Sequence, residues 1–446
     1  MLGVPALEAM AAKESERASE RPNIIFVMAD DLGYADLGCY GQKRIQTPNI
    51  DRLATEGTRF TQCYAGAPVC APSRCVLMTG LHTGHATVRG NHGQNAPLHD
   101  GEANRVPLRA DDVTVATLLK RAGYATGITG KWGLGEPGST GLPNDHGFDE
   151  WFGYLNQNHA ADYYTDYLWR NKKRQTIEGN LNGQRAVYSA DLFSEFSLDF
   201  IRKNQANPFF LYVATTIPHK DLEVPDLGAY ADEPWPEDAK VFAAMVTRLD
   251  THVGQILALL KELDLERNTI VFFTSDNGSA KGWEGMFDSC GPLRDKKFSL
   301  YEGGIRCPMI VRWPGKVPAD AVSETVWYFA DFLPTAANLA GTSAPALADG
   351  IDVTPALLNK TQALPDRFFY WELPQGDSQP LRQAVRWSDW KAVRIGHDAE
   401  LELYDLLSDI GEARNVSAEH PEVVARFQDF LKTARTPSLY WPADCD

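Results

Sequence analysis

Three continuous apolar segments, each followed by polar residues, constrain the fold of this chain more than any other feature. They span residues 23–29, 208–214 and 269–274 and are rich in β-branched and aromatic residues. Segments that are apolar on both faces are typical of parallel strands buried inside a sheet. Helical patterns alternate with them at residues 111–122, 189–203, 239–263 and 330–340. The sequence therefore predicts an α/β fold whose sites lie outside the carboxyl ends of the strands.

The pattern changes after about residue 360. Short alternating segments follow at residues 367–372, 383–387, 390–395 and 401–405, and a last helical pattern covers 420–434. We predict a catalytic domain over residues 23–360 and a smaller C-terminal α+β domain with an antiparallel sheet over 361–446. Residues 1–22 lack a basic start and a full-length apolar segment, so we interpret them as a disordered leader or as part of a signal peptide.

Composition narrows the classes of partner. The chain has 43 Lys and Arg against 59 Asp and Glu, a formal net charge of −16 at pH 7. This charge argues against a nucleic acid or an anionic membrane surface as partner. No apolar run approaches the ~20 residues of a membrane-spanning helix. The seven cysteines are too few and too scattered for a disulfide framework, and no CxxC pair occurs.

Acidic residues follow two of the predicted strands. Asp30 and Asp31 come directly after the first strand, and Asp276 and Asn277 come after the last of the three. Each pair alone is also a common turn signal. Because the carboxyl ends of parallel strands meet at one edge of a sheet, we expect the four side chains to converge. Their hard oxygen donors predict a Ca²⁺ or Mg²⁺ site and not a zinc or copper site.

A cysteine opens the helical segment that lies between these acidic pairs. Pro72 suits the first turn of a helix, and Cys70 lies just ahead of it. A side chain at this place faces the positive end of the helix dipole. From the residues alone Cys70 is a low-pKa thiolate, part of an anion site, or a buried structural cysteine.

The same segment resembles the signature of a known enzyme family. Cys70-Ala71-Pro72-Ser73-Arg74 together with Thr79-Gly80 matches the motif of the formylglycine-dependent sulfatases. Segments 22–33, 47–54, 130–132, 275–278 and 300–306 also resemble that family, in the same order. The resemblance to type I sulfatases implies an alkaline-phosphatase-like fold, with a large mixed β-sheet sandwiched by helices and a smaller four-stranded C-terminal domain.

The resemblance also implies a reaction and two cofactors. A maturation enzyme would oxidise Cys70 to formylglycine, and one hydroxyl of the hydrated aldehyde would attack sulfur and expel the alcohol. The second hydroxyl would then release sulfate. A divalent cation, most often calcium in this family, would bind an oxygen of residue 70 and the four strand-end residues, Asp30, Asp31, Asp276 and Asn277.

Further side chains have roles implied by the same resemblance. Arg74 would brace the hydrate of residue 70. Lys131 and Lys297 would bind sulfate oxygens and stabilise charge in the transition state. His219, which follows the second strand, would protonate the leaving oxygen.

One departure from the family pattern concerns position 133. Many sulfatases have a histidine there that contacts the formylglycine hydroxyl, whereas this chain has Gly133. We expect His159 to replace it as base or sulfate ligand, the alternative being a histidine at the pocket rim or in a structural role.

The substrate is indicated less directly. His85, Arg89 and Asn91 follow the Cys70 helix closely enough to line the pocket, and the segment 156–169 is rich in Tyr and Trp suited to stacking on sugar rings. We predict a sulfated carbohydrate as substrate. The resemblance favours a periplasmic or secreted location, and a cytoplasmic one stays open.

Three other functions remain as alternatives. One is a phosphonate or phosphate-ester hydrolase on the same fold, and another is a catalytically silent carbohydrate-binding relative. The third is a thiol enzyme that uses unmodified Cys70 with His219.

Overall fold

A mixed sheet of 11 strands runs through the computed structural model of this chain. The structure describes residues 21–93, 105–360, 364–374 and 380–442. The strands are β1 (Asn23–Ala29), β2 (Thr58–Tyr64), β3 (Ala125–Lys131), β4 (Glu150–Tyr154), β5 (Tyr167–Arg170), β6 (Lys173–Thr176), β7 (Phe209–Ala214), β8 (Thr269–Ser275), β9 (Arg306–Arg312), β10 (Ala321–Ser323) and β11 (Trp327–Tyr328). Their order across the sheet is β10, β2, β9, β8, β1, β7, β3, β4, β5, β6, and β11 also pairs with β2.

The centre of the sheet is parallel. Strands β8, β1, β7, β3 and β4 are neighbours and run in the same direction, whereas β9 and β5 flank them in the opposite direction. The carboxyl ends of five adjacent strands therefore lie at one edge. This edge is where the sequence predicts the functional residues.

Strand β1 shows why its sequence is apolar throughout. All seven of its residues are buried. Ile24 and Phe26 belong to the hydrophobic core on one face of the sheet, and Ile25 and Val27 belong to the core on the other face. Successive side chains of a strand point to opposite faces, so a strand covered on both sides needs apolar residues at every position.

Helices cover both faces of the sheet. They are α1 (Pro48–Thr55), α2 (Cys70–Thr79), α3 (Val115–Arg121), α4 (Ser189–Asn204), α5 (Glu237–Glu262), α6 (Glu302–Ile305), α7 (Phe332–Leu339), α8 (Thr354–Leu357) and α9 (Pro421–Leu431). Side chains of α2, α3 and α7 pack into one core, and side chains of α1, α4 and α5 pack into the other. The predicted sheet sandwiched by helices is confirmed. Of these helices, α5 is the longest, and none among the described residues is long and apolar enough to cross a bilayer.

Helix boundaries differ from the prediction where side chains cap the backbone. The helix expected at 111–122 begins at Val115, because the Oγ1 of Thr114 accepts a hydrogen bond from the N–H of Thr117 at 3.1 Å and acts as its N-cap. The segment expected as one helix at 330–340 divides into a 3₁₀ turn, Phe329–Asp331, and helix α7.

A second, antiparallel sheet forms the C-terminal part. Its strands are β12 (Phe368–Leu373), β13 (Arg382–Trp387), β14 (Trp390–Ile395) and β15 (Glu402–Asp405), paired in that order. Phe427 and Leu431 of α9 pack on one face, whereas Trp371 on the other face belongs to the core of the large sheet. The predicted small α+β unit is confirmed. Its boundary at residue 360 stays a prediction, and most of the expected leader, residues 1–20, lies outside the described residues.

A buried group of charges joins the two sheets. Lys391 on β14 donates to Glu302 at 2.9 Å and forms an ion pair with Glu412 at 2.8 Å, and none of the three side chains is exposed. Glu302 also pairs with Arg306 at 3.1 Å. Burial alone would raise the pKa of Glu302, but Lys391 and Arg306 hold it at about 2. The ammonium of Lys391 therefore neutralises carboxylates that have no access to water.

Replacing Lys391 tests this arrangement. We expect Lys391→Met to lower the free energy of unfolding by about 3–5 kcal/mol, because it leaves buried carboxylates without their cation. Lys432→Met is the matched control, since that side chain is 72% exposed and its loss is expected to cost under about 0.5 kcal/mol. Urea denaturation followed by tryptophan fluorescence measures both. Equal losses in the two variants would contradict the stabilising role.

Candidate active site

The carboxyl ends of β1 and β8 bring the predicted acidic residues together. Asp30 and Asp31 follow β1, Asp276 and Asn277 follow β8, and all four side chains are at most 1% exposed. The backbone N–H of Asp31 donates to the Oδ1 of Asp276 at 3.1 Å, across 245 residues of sequence. The two strands pair in parallel along their whole length, so their last residues end side by side.

Cys70, the first residue of α2, lies against this acidic group. Its Sγ is 3.5 Å from Asp30 Oδ1 and 3.3 Å from Lys297 Nζ. Burial, together with the charges of Asp276 and Asp30, raises the pKa of the Cys70 thiol to about 12. The surroundings of Cys70 therefore disfavour its thiolate form. The same shift argues against a thiol enzyme that pairs Cys70 with His219.

Three buried cations neutralise the three carboxylates. The ion pairs are Lys131 with Asp30 (2.7 Å), Lys297 with Asp31 (2.6 Å) and Arg74 with Asp276 (2.8 Å). None of these side chains is more than 5% exposed. Burial lowers the pKa of each lysine, but the facing carboxylates raise the pKa further, so both lysines stay charged. The structure thus provides two ammonium groups beside residue 70 for an anionic ligand.

Arg74 lies one helical turn beyond Cys70 and links three elements. Its guanidinium donates to Asp276 Oδ2 from Nε at 3.2 Å and from Nη2 at 2.8 Å, and Nη1 donates to the backbone oxygen of Lys131 at 2.8 Å. Helix α2 is thereby tied to the ends of β8 and β3. These contacts place Arg74 behind the site, where it fixes the positions of the groups that face a substrate.

The acidic group fits a hard divalent cation. The Nδ2 of Asn277 donates to Asp31 Oδ1 at 2.7 Å and to the backbone oxygen of Gly278 at 2.9 Å. Its Oδ1 is buried and accepts no hydrogen bond from the part of the chain that the structure describes. A buried oxygen without a donor is costly, and a cation satisfies it. Three carboxylates and one amide oxygen are the donors that Ca²⁺ and Mg²⁺ prefer.

His219 lies at the same edge of the sheet, in the loop after β7. Its Nδ1 is 2.5 Å from the backbone oxygen of Lys220, so Nδ1 carries a proton and donates it. Its Nε2 is 3.5 Å from Asp31 Oδ2 and faces the site. Burial lowers the pKa of His219. The structure therefore presents Nε2 of this histidine to the group that binds near the carboxylates.

The structure does not bring His159 to the Cys70 cluster. This residue begins a 3₁₀ turn, His159–Ala161, and its Nε2 is 2.7 Å from Thr165 Oγ1. Its ring packs against Tyr154 at 4.8 Å and Tyr167 at 4.5 Å between centroids. Burial lowers the pKa of His159 to about 4. These contacts support the structural alternative for His159, because its ring packs on two tyrosines and its Nε2 hydrogen-bonds to Thr165.

Gln157, two residues earlier, is the neighbour of position 133 that sequence analysis missed. A Cβ built on Gly133 would lie 1.9 Å from Gln157 Nε2, and Gly133 has φ +74°. The amide of Gln157 therefore occupies the space where a side chain at position 133 would start. The available signal was the coincidence of a glycine at 133 with a polar segment at 156–159.

The three predicted substrate residues separate in the structure. Asn91 lies at the Cys70 helix, where its Oδ1 accepts from the N–H of Ala71 at 3.1 Å. Arg89 is 2% exposed and donates to the backbone oxygen of Thr436 at 2.9 Å, at the contact with the C-terminal part. His85 pairs with Asp349 at 2.9 Å. Of the three, Asn91 is the residue that hydrogen-bonds to the Cys70 helix.

The fold is that of the alkaline-phosphatase-like superfamily, and the cluster offers the oxygen donors that a hard divalent cation prefers. The model of the sulfatase family matches residues 22–342, and a model described as "N-sulphoglucosamine sulphohydrolase, C-terminal" matches residues 292–436. The first match spans most of the chain and contains every residue of the cluster. The chain belongs to the sulfatase family and is a sulfuric ester hydrolase.

Individual relatives agree with the family match. N-acetylgalactosamine-6-sulfatase of Canis lupus familiaris is 36% identical in an alignment of 361 residues that covers 76% of this chain and 67% of the relative. N-acetylgalactosamine-6-O-sulfatase of Bacteroides thetaiotaomicron is 30% identical over 95% of both chains. The crystal structure of Ps i-CgsB in complex with k-i-k-neocarrahexaose has a TM-score of 0.81 at 30% identity, covering 95% of this chain and 96% of that one.

Two adjacent lysines provide a test of the site. Lys297 is buried against Asp31 and residue 70, whereas Lys296 is 39% exposed and pairs with Glu284 at 3.2 Å. We expect Lys297→Ala to lower kcat/KM for sulfate release by about 100- to 1000-fold, because it removes a charge that faces the transition state. Lys296→Ala should stay within about twofold of the wild type. Equal effects of the two substitutions on turnover would contradict the assignment of Lys297.

Proposed function

We propose that this sulfatase hydrolyses a sulfate ester of a sulfated carbohydrate. It would use a divalent cation and a formylglycine that is formed from Cys70. The observation that carries the proposal is the convergence of Cys70, Lys131 and Lys297 on a buried set of hard oxygen donors. We propose calcium as the cation, with magnesium as the alternative, and as its ligands Asp30, Asp31, Asp276, Asn277 and an oxygen of residue 70.

The substrate class rests on the relatives. The canine and the Bacteroides relatives are named for sulfate esters of N-acetylgalactosamine, and Ps i-CgsB was crystallised in complex with k-i-k-neocarrahexaose. The chain spans about two thirds of the canine enzyme and nearly all of the bacterial one. We therefore favour a sulfated sugar over a small aryl sulfate as the natural substrate.

Each charged side chain has a part in the proposed reaction. Lys131 and Lys297 bind nonbridging sulfate oxygens and share their charge between the substrate and their carboxylate partners. His219 in its protonated form gives the Nε2 proton to the leaving sugar oxygen, while its Nδ1 stays bonded to the backbone. Arg74 holds the carboxylate of Asp276 and the end of β3 in place.

The two cofactors would supply what these residues lack. A thiol with a pKa of about 12 is a poor nucleophile at neutral pH, whereas a hydrated aldehyde at residue 70 supplies hydroxyls both for attack and for release of sulfate. The cation supplies neutralisation of charge on the sulfate. The motif around Cys70 further implies a maturation enzyme as partner, and we propose a location outside the cytoplasm, periplasmic or secreted.

Sulfate release from a panel of sulfated sugars tests this function. The protein is produced together with a formylglycine-generating enzyme and assayed with calcium on sulfated mono- and disaccharides, including 6-O-sulfated N-acetylgalactosamine. We expect release by the matured protein and none by Cys70→Ala. Chelation with EDTA should abolish release, and added Ca²⁺ should restore it.

The same panel separates the alternatives. Phosphate and phosphonate monoesters are included, and faster turnover of these esters than of sulfates would favour the phosphonate-hydrolase alternative. Binding of sulfated sugar without release, when mass spectrometry shows the aldehyde at residue 70, would favour the silent binding relative. Either outcome would contradict the proposed function.

A further inference from the structure

The amide of Gln157 is a buried donor without a partner. Gln157 is 8% exposed, and its Nε2 makes no hydrogen bond within the described ranges of the chain. An unmade hydrogen bond of a buried donor costs stability, so native proteins retain few of them. A donor kept in this state beside an active site is suited to an oxygen that arrives with the ligand.

Strand pairing fixes the position of Gln157 close to the end of β3. Lys131, the last residue of β3, is opposite Tyr154 of β4, and the N–H of Gly133 donates to the backbone oxygen of Leu155 at 3.0 Å. The segment after β4 thus runs beside the segment after β3. Gln157 lies on the segment after β4, next to Gly133. Gly133 is two residues beyond Lys131, whose ammonium pairs with Asp30.

The backbone around Gln157 is held on both sides. The Nδ2 of Asn156 donates to Glu136 Oε1 at 2.9 Å. The Oδ1 of Asn156 accepts from the N–H of Asn158 at 2.7 Å and from that of His159 at 3.0 Å. The amide is therefore presented by a fixed loop, and little conformational freedom would be lost when it binds a ligand.

Gly133 leaves the space that the amide fills. Its φ of +74° lies in the region that favours glycine, and a Cβ there would collide with Gln157 Nε2. The absence of a side chain at position 133 therefore leaves room for the amide of Gln157, next to backbone that lies two residues beyond Lys131.

We propose that Gln157 Nε2 donates a hydrogen bond to an oxygen of the bound sulfate ester, beside the ammonium of Lys131. This inference rests on the proposed function and names a binding group of the same site. A carboxamide does not take up a proton near neutral pH, so Gln157 binds the ester and does not act as a base.

Gln157→Leu tests the proposal, because it removes the donor and keeps most of the volume. With 4-nitrophenyl sulfate as probe, kcat/KM should fall about 10- to 100-fold, the expected loss for a hydrogen bond to a charged group, and the shape of its pH profile should not change. The Tm of the ligand-free protein should stay the same or rise, since the variant removes an unsatisfied buried donor. Exposed Gln184→Leu is the matched control and should change neither quantity.

A second measurement needs no turnover. Inorganic sulfate should raise the Tm of unmatured wild-type protein, and Gln157→Leu should reduce that shift. A loss of Tm in ligand-free Gln157→Leu, with the sulfate shift unchanged, would overturn the proposal and show a structural role. If wild type binds sulfate and Gln157→Leu does not, but no ester is hydrolysed, the proposed function fails while this inference stands.

A different observation concerns Phe298, the residue that follows Lys297. This residue has φ +71° and is 56% exposed, although left-handed backbone is unfavourable for a bulky side chain and exposure is unfavourable for an aromatic ring. Its N–H donates to the backbone oxygen of Pro68 at 2.9 Å, two residues before Cys70. Its ring centroid is 5.5 Å from Lys297 Nζ.

Two aromatic rings of segment 156–169, which was expected to stack on the sugar, are covered by other parts of the protein. Tyr163 is fully buried, and its hydroxyl donates to the backbone oxygens of Thr216 and His219, so it supports the histidine loop. The ring of Trp169 is covered by the guanidinium of Arg174. We infer that Phe298 is the aromatic surface on which the sugar ring of the substrate stacks, an inference that again rests on the proposed function.

Phe298→Gly is expected to stabilise the protein and to weaken its binding of substrate. Glycine relieves the left-handed backbone, so Tm should rise by about 1–3 °C. The KM for a sulfated disaccharide should rise by about 10-fold, with a smaller change in kcat, because the stacking surface is lost. Phe298→Tyr keeps the ring and should keep the wild-type KM. A stabilised Phe298→Gly variant with unchanged KM would overturn the inference, whereas absence of turnover in the wild type would instead contradict the proposed function.

Discussion

Compensation of buried charge is the constraint on which the rest of this structure depends. Three carboxylates at the ends of two parallel strands lie out of contact with water, and each faces a buried cation within 2.6–2.8 Å. Removing any one of them leaves an unpaired buried charge, which is far more costly than the pair itself. The strands, helix α2 and the loop with Lys297 must therefore meet in one arrangement, and that arrangement places charge around residue 70.

This compensation also prepares the site for its ligands. The two lysines pair with strand-end carboxylates. By our proposal, a divalent cation would bind among the carboxylates and a sulfate ester would bind the lysines. Asn277 Oδ1 and Gln157 Nε2 are two buried polar atoms without partners in the described chain, one an acceptor and the other a donor. A cation satisfies the first, and by our inference an ester oxygen satisfies the second.

Local sequence patterns predicted the architecture and the convergence of the acidic residues at the strand ends. Strand β1 is apolar at every position because it is covered on both faces, and this pattern is readable without the structure. Asp30 and Asp276 could be placed together because parallel strands deliver their following residues to one edge. Helix α3 was less predictable, since the Thr114 cap and not the acidic pair before it sets the first turn.

Residues whose roles depend on contacts between distant segments were not predictable from the pattern. Arg89 resembled a pocket residue by its distance from Cys70 in sequence, but its guanidinium reaches the C-terminal segment instead. His159 resembled a replacement for the histidine missing at 133, yet its ring is held by Tyr154, Tyr167 and Thr165.

The sequence by itself determined the class of fold, the family and the chemistry of the strand ends, because these depend on local periodicity and on motifs of adjacent residues. The tertiary structure decided which polar atoms are left without partners and which side chain fills the space beside Gly133. Those outcomes depend on packing between segments that no local pattern records, and a displacement of about one ångström changes them.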